Sequence, residues 1–132
     1  MLQQHRYGFG RIVSGSPAEV EARVTEALKA RGFGVLTRID VAATLKAKLG
    51  EEMPPYVILG ACNPPLAHRA ISSEPEIGLL LPCNVIVYQD GDGQTHVAAM
   101  DPAPVLELVD NPQVAPVAQQ VRQLMTEVVE AV

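Results

Sequence analysis

The segment 16–32 constrains the fold most strongly, because it carries a full set of signals for one amphipathic helix. Ser16 is a favourable N-cap, Pro17 suits the first helical position, and Glu19 completes a capping box. Gly32 supplies the stop at the other end. The apolar residues recur at helical spacing and form one stripe: Val20, Val24, Ala27 and Leu28. A helix with such a stripe has to bury it against another layer of secondary structure.

The remaining chain supplies strands and a second amphipathic helix. Alternating or continuously apolar segments predict strands over residues 5–13, 33–41, 56–62, 77–89 (interrupted by Pro82) and 95–100. Short helices are predicted over 42–49, 63–71 and 105–109, and Asp90-Gly91-Asp92-Gly93 is typical of a hairpin turn. Asn111 and Pro112 begin the last helix, which places Val114, Val117, Val121, Leu124, Met125 and Val128 on one face.

This order, β-α-β(4)-α with short inserted helices, predicts an α+β fold built as a two-layer sandwich. The sheet is expected to be largely antiparallel, with the two main helices on one face. A chain of 132 residues fits a single domain, 1–132. Because residues 56–62 are apolar on both sides, the second sheet face is expected to serve association, and we predict a homodimer.

Charge and termini narrow the possible partners. The formal net charge is −5 and the ten basic residues are dispersed, which argues against nucleic-acid binding. No apolar signal-peptide core follows Met1, and the densest apolar stretch, 77–81, is too short to span a bilayer. We therefore predict a cytoplasmic protein with no membrane partner.

Cys62 and Cys83 are the only residues that point to specific chemistry. Cys62 ends a predicted strand and directly precedes the helix start at Asn63-Pro64. At that position, free N–H groups and the helix dipole would stabilise a thiolate, which makes Cys62 a candidate nucleophile. The alternative is that each cysteine is a small buried hydrophobe, and this alternative weighs more heavily for Cys83.

Metal and polar-ligand sites are further alternatives. If Cys62 and Cys83 are neighbours, His68 is the natural third metal ligand, although a closed zinc site wants four ligands and usually closely spaced pairs. No cofactor is predicted, and a metal stays open. Asp40 and Lys46, together with Glu52, cluster near the second strand, where they either bind a polar ligand or form a helix cap and a solvated surface.

Several spaced motifs add a family resemblance: Gly32-Phe33-Gly34-Val35, Ile39-Asp40, Cys62-Asn63-Pro64, Leu80-Leu81-Pro82-Cys83 and Asp101-Pro102. Over nearly its whole length the chain resembles the domain of unknown function family 302. The resemblance implies a β-α-β(4)-α arrangement similar to a TATA-box-binding protein repeat, and a homodimer. It directs attention to Asp40, Cys62, Asn63, Pro64, Pro82 and Cys83. It implies no activity, because a fold does not carry a function with it.

Three hypotheses for the function follow. The first is a homodimeric binding module that holds a small ligand or a metal near Cys62, Asn63 and His68. The second is a thiol-dependent enzyme or sulfur carrier that uses Cys62. The third is a structural or interaction protein that acts through the open face of the sheet.

Overall fold

A computed structural model describes residues 2–132, and within them the chain alternates short strands with helices. The strands are β1 (Gln3–His5), β2 (Gly8–Val13), β3 (Gly34–Asp40), β4 (Tyr56–Cys62), β5 (Cys83–Gln89) and β6 (Thr95–Met100). The helices are α1 (Pro17–Ala30), α2 (Val41–Leu49), α3 (Pro64–Ser73), α4 (Pro102–Leu106) and α5 (Ala115–Ala131). Two 3-10 segments, Pro75–Leu80 and Glu107–Val109, lie before β5 and after α4.

The six strands form one sheet in the order β1-β2-β6-β5-β4-β3, and every neighbouring pair is antiparallel. The predicted hairpin turn between β5 and β6 is confirmed. The backbone N–H of Asp90 donates to the Gln94 carbonyl, and the Asp90 carboxylate accepts the N–H groups of Asp92 and Gln94. A side-chain acceptor at the start of the turn fixes it locally, as expected for Asp.

Helices α1 and α5 pack against one face of this sheet and bury their apolar stripes there. The core side chains with almost no exposure come from both layers: Val20, Val24 and Leu28 of α1, Met125 and Val128 of α5, and Leu59, Val85, Val87 and Val97 of the strands. Burying one such side chain contributes about 1.5–3 kcal/mol relative to leaving it in water. The predicted two-layer α+β sandwich with two main helices on one face is confirmed.

The α1 termini follow the local sequence. The Glu19 N–H donates to Ser16 Oγ over 3.2 Å, so Ser16 is the N-cap as predicted. After the helix, Gly32 adopts a φ of +83°, a conformation in which glycine carries no steric penalty.

Four element boundaries differ from the predictions. The short helix predicted over 105–109 begins earlier, since α4 spans Pro102–Leu106 and is capped by Asp101, and only a 3-10 turn follows it. The predicted strand 5–13 is a hairpin of β1 and β2, in which His5 pairs with Gly8 across Arg6 and Tyr7. The predicted strand 77–89 was wrong in its first part, since Pro75–Leu80 is a 3-10 helix and the strand begins only at Cys83. Pro82 lacks an N–H for a sheet ladder, so the strand starts after it.

The last helix begins at Ala115, so the predicted start at Asn111 was wrong. Asn111 makes a local turn instead, accepting the N–H of Gln113 at its side-chain oxygen. Its amide nitrogen donates to the Ser73 carbonyl and to Glu74 Oε1, which ties the start of this segment to the end of α3.

Strand β3 contains an irregularity that the simple alternation pattern did not predict. Its register against β4 shifts between Val35 and Thr37. A β-bulge of this kind inserts one residue and reverses the sides of those that follow. Simple alternation would place Ile39 on the side of Phe33 and Val35. The bulge moves it to the other side, where it is 48% exposed, whereas Phe33 is buried.

The sheet surface turned away from α1 and α5 is called the open face here. Its middle row consists of Ile58, Ile86 and Ala98, which pair across β4, β5 and β6. A second row stacks the rings of Tyr56, Tyr88 and His96, with centroids 5.4 and 4.6 Å apart. On β2, a Cβ on Gly10 would lie 2.8 Å from the Ala98 Cα, so only glycine fits against β6 at this position.

Asp101 is the one acidic side chain that the core encloses within the described residues, at 2% exposure. Its Oδ1 accepts the N–H of Ala103 at 3.0 Å and caps α4. Its Oδ2 accepts hydrogen bonds from Arg122 Nε at 3.1 Å and Gln4 Nε2 at 3.3 Å. A buried carboxylate with three donors is satisfied, and it joins β1, α4 and α5.

Candidate functional site

A cavity of about 330 Å³ lies where β4 ends and β5 begins, between α3, α5 and the first residues of β3. We call it the cysteine cavity, because both Cys62 and Cys83 line it. Apolar side chains make most of its remaining wall: Phe33, Leu36, Leu66, Ala67, Ala70, Ile71, Leu81, Leu106, Val117 and Val121. The polar groups among its lining residues are those of Thr37 and Asn63.

The strand register brings the two cysteines together. Cys83 pairs with Ala61 across β5 and β4, so Cys62 is one residue beyond the Cys83 pair. Both thiols are free, Cys62 being half-buried and Cys83 buried. Desolvation by burial, reinforced by the nearby Cys62, raises the pKa of the Cys83 thiol to about 11. Cys83 is therefore a neutral thiol near pH 7, and Cys62 is the more exposed cysteine of the two.

The predicted position of Cys62, directly before a helix start, is confirmed, but the predicted free N–H groups are not there. Asn63 caps α3 through its side-chain oxygen, which accepts the Leu66 N–H at 3.3 Å. The Ala67 N–H donates to the Asn63 carbonyl. Pro64 and Pro65 occupy the first two helical positions and have no N–H. The backbone therefore offers no donor to a thiolate from this turn, because each N–H in it is used or missing.

His68 lies on α3 with an exposed side chain and is not among the residues that line the cysteine cavity. Its neighbour Ala67 does line the cavity. Among residues 2–132, no three side chains of the metal-binding types lie together in a group that could hold an ion. The structure thus does not assemble the triad Cys62, His68 and Cys83 that the sequence suggested for a metal.

The predicted polar cluster is distributed around α2, outside the cavity. Asp40 Oδ1 accepts the Ala43 N–H at 2.9 Å and caps the helix. Lys46 Nζ pairs with Glu52 Oε1 at 3.1 Å, and both side chains are mostly exposed. An exposed pair of this kind contributes little to stability. Of the two alternatives for this trio, the geometry corresponds to a helix cap with a solvated surface.

The sequence pointed to Cys62, Asn63 and Cys83 as site residues, and the structure brings all three to one cavity. The sequence patterns did not identify the opposite wall of the cavity, which is formed by Val117 and Val121 of α5. These valines belong to the apolar stripe of the last helix, and that periodicity predicts burial without distinguishing a packed core from a cavity wall.

Within residues 2–132, none of the helices has the length and apolar character needed to cross a membrane.

Comparison with known proteins adds two kinds of similarity. A crystal structure of an uncharacterized conserved DUF302 protein from Bacillus stearothermophilus matches with a TM-score of 0.88 and 29% identity, covering 94% of this chain and 96% of that one. The fluoride-specific ion channel FluC 1 proteins of Brucella suis biovar 1 and Brucella abortus biovar 1 are 33% identical over 88 residues, which is 67% of this chain. Those residues are 34% and 32% of the two Brucella proteins, so the chain spans about one third of these curated relatives.

The family model described as "Domain of unknown function DUF302" matches residues 10–132, which include every element from β2 onwards except the first two residues of that strand. Together with the structural match over nearly the whole fold, this match establishes that the chain belongs to the DUF302 family.

Proposed function

We propose that this chain is a binding module that holds a small, uncharged, largely apolar ligand in the cysteine cavity. The observation that carries the proposal is the cavity itself: about 330 Å³ of space, partly open to solvent, lined mainly by aliphatic side chains and by both cysteines. Ligand sites in proteins are typically concave, mostly apolar and about 300–1,000 Å³ in volume, with a few polar groups that orient the ligand.

The chemistry of the walls favours an apolar ligand over an ion. The charged candidates Asp40 and Lys46 lie outside the cavity, and His68 is exposed on the outer side of α3. Transferring an unpaired charge into such surroundings is strongly unfavourable. The Thr37 hydroxyl and the amide N–H₂ of Asn63 are left to orient a ligand by hydrogen bonding, since the Asn63 oxygen already accepts the Leu66 N–H.

A thermal-shift titration tests the proposal, using fatty alcohols of increasing length, haem, divalent metal ions and sodium fluoride. Fluoride is included because part of a fluoride channel protein is similar to this chain. Ligand at ten times its Kd stabilises the folded state by about 1.4 kcal/mol, which raises the Tm by several degrees in a domain of this size. We expect a saturable shift with the alcohols and none with fluoride.

A matched pair of variants locates the binding. Ala67→Leu on α3 places three further carbons at the cavity wall, whereas Ala22→Leu makes the same change at an exposed position of α1. Ala67→Leu should abolish the shift with alcohols, and Ala22→Leu should retain it. Flat responses of the unmodified chain to every alcohol would overturn the proposal.

Self-association through the open face is the second candidate function, and the chemistry of that face favours it. The central residues Ile58, Ile86 and Ala98 are half-buried in the single chain, and no carboxylate or lysine lies among them. A face whose centre is apolar and uncharged can pair with a copy of itself without like-charge repulsion there. Sedimentation equilibrium should give a dimer that Ile86→Lys disrupts, and a monomer at all concentrations would contradict this proposal.

A cytoplasmic location belongs to the same proposal, and the two free thiols support it, because unpaired cysteines persist in reducing compartments. A thiol-dependent enzyme or sulfur carrier has weaker support, since the first turn of α3 supplies no N–H group to activate Cys62.

A further inference from the structure

We propose that the cysteine cavity captures apolar electrophiles, specifically compounds with an α,β-unsaturated carbonyl group, by covalent addition to Cys62. This inference rests on the proposed binding function and names the ligand class that the same cavity would select. It requires three things of the site: an apolar compartment, a thiol at its wall that a ligand can reach, and selectivity for that thiol.

The geometry supplies an apolar compartment with one reachable thiol. Cys62 is among the residues that line the cavity and is only half-buried, so it is the more accessible of the two cysteines beside a bound ligand. Cys83 lines the same cavity but is only 6% exposed. Its thiol stays neutral near pH 7, since burial raises its pKa to about 11. Because the thiolate is the nucleophile, addition falls to Cys62.

The addition needs no oxidant, reductant or further co-reactant apart from water. The Cys62 thiol loses its proton to water, and the sulfur electron pair forms a new C–S bond to the β-carbon of the ligand. The carbon–carbon double bond opens, and its electron pair moves onto the carbonyl oxygen as an enolate. Water returns a proton to the α-carbon, so the product is the neutral sum of thiol and ligand.

Any increase in the rate of the Cys62 reaction over that of a free thiol must come from binding of the reagent in the cavity. The first turn of α3 has no N–H group available to stabilise a thiolate, because Pro64 and Pro65 lack one and Asn63 accepts that of Leu66. Cys62 should therefore react with small polar reagents at the rate of an ordinary half-buried thiol. An apolar reagent gains from being held beside the sulfur, since positioning alone can raise the effective concentration of a reactant greatly.

If binding accelerates the reaction, the rate of Cys62 modification should depend on the apolar size of the reagent. Each further methylene buried in an apolar site favours binding by about fourfold. For N-methyl-, N-ethyl-, N-butyl- and N-hexylmaleimide, the rate of Cys62 modification relative to a free model thiol should rise by about that factor per methylene until the cavity is filled. Iodoacetamide, which is small and polar, should show no such enhancement.

The experiment measures these rates by mass spectrometry of the intact protein and locates the adduct by peptide mapping. We expect a single adduct on Cys62 and none in Cys62→Ser. In Ala67→Leu, the maleimide rates divided by the iodoacetamide rate of the same variant should no longer depend on chain length. Ala22→Leu is the matched control and should behave as the unmodified chain. If Ala67→Leu fails to fold, Ala70→Leu fills the same cavity from the next turn.

A rate that is independent of chain length, or modification of Cys83 in place of Cys62, would overturn the inference. N-hexylsuccinimide, the saturated analogue that cannot react, separates this failure from failure of the proposed function. If the succinimide binds reversibly in a thermal-shift titration while the maleimides show no acceleration, the binding proposal stands and covalent capture is refuted. If the succinimide does not bind and the maleimides show no acceleration, both proposals are refuted.

Discussion

Raising the pH should destabilise this protein through Cys83, and the size of the effect follows from its burial. The Cys83 side chain faces the interior at the start of β5, and desolvation raises its pKa from an ordinary 9.0 to about 11. The unfolded chain exposes the thiol and titrates near the ordinary value. Between these two values the unfolded state loses its proton while the folded state keeps it.

The sign of the effect follows from this proton difference. A group whose folded pKa is raised contributes its full stability below the unfolded pKa and loses that contribution as the pH rises through the folded pKa. A difference of one pKa unit corresponds to about 1.4 kcal/mol. Cys83 should therefore cost the folded state about 1.4 kcal/mol at pH 10 relative to pH 7, and about twice that amount once the pH exceeds 11.

Urea denaturation at pH 7.5, 8.5, 9.5 and 10.0, with a non-thiol reductant present, measures this loss. Other groups also titrate in this range, so the informative quantity is the difference between the unmodified chain and Cys83→Ala. The unmodified chain should lose about 1.4 kcal/mol more than Cys83→Ala between pH 7.5 and 10.0. Cys62→Ala should keep most of the loss, because burial, the main cause of the raised Cys83 pKa, remains when Cys62 is removed. Equal losses in the unmodified chain and in Cys83→Ala would refute the reasoning.

Three further predictions concern positions that hold the fold around the site, each checked by urea denaturation. Gly10→Ala should destabilise the fold by about 2–4 kcal/mol, because the added Cβ would clash with the β6 backbone. Gly34→Ala is the control: no atom lies within 4 Å of its added Cβ, so stability should change by less than about 1 kcal/mol. Asp101→Ala should cost about 2–4 kcal/mol by removing the α4 cap and the bonds from Arg122 and Gln4, and Asp101→Asn should cost clearly less because it keeps the cap. The hydrogen bonds from His96 and from the N–H of Gln94 lower the pKa of Asp90. The Asp90 carboxylate therefore stabilises the fold above its unfolded pKa, and this contribution is lost as the pH falls. The difference in free energy of unfolding between the unmodified chain and Asp90→Asn should shrink from pH 6 to pH 3. An unchanged difference at pH 3 would contradict that assignment.

Local signals predicted the fold wherever the deciding interaction lies within a few residues. The Ser16 cap, the Gly32 stop and the Asp90 turn all depend on neighbouring backbone groups, and all three lie where the sequence placed them. The errors occur where distant parts of the chain decide. Asn111 hydrogen-bonds to the end of α3 and does not cap α5. The bulge after Val35 depends on the pairing of β3 with β4.

The same division explains how far the candidate site could be predicted. The sequence placed Cys62 at the end of a strand before a capped helix, and that placement was right because Asn63 and Pro64 act locally. It did not predict the chemical consequence, although the residues needed were present. Two consecutive prolines at the helix start remove the N–H groups that would otherwise favour an anion there.

Any selectivity of Cys62 therefore depends on the apolar compartment beside it. That compartment depends on β4, β5, α3 and α5 meeting at one end of the sheet, which no local pattern encodes. A helix start rich in free N–H groups would favour a thiolate that any small electrophile could attack. A proline-started helix beside an apolar cavity gives a thiol whose partners are selected by size and hydrophobicity. The dependence of the Cys62 reaction rate on alkyl chain length distinguishes these two kinds of cysteine site.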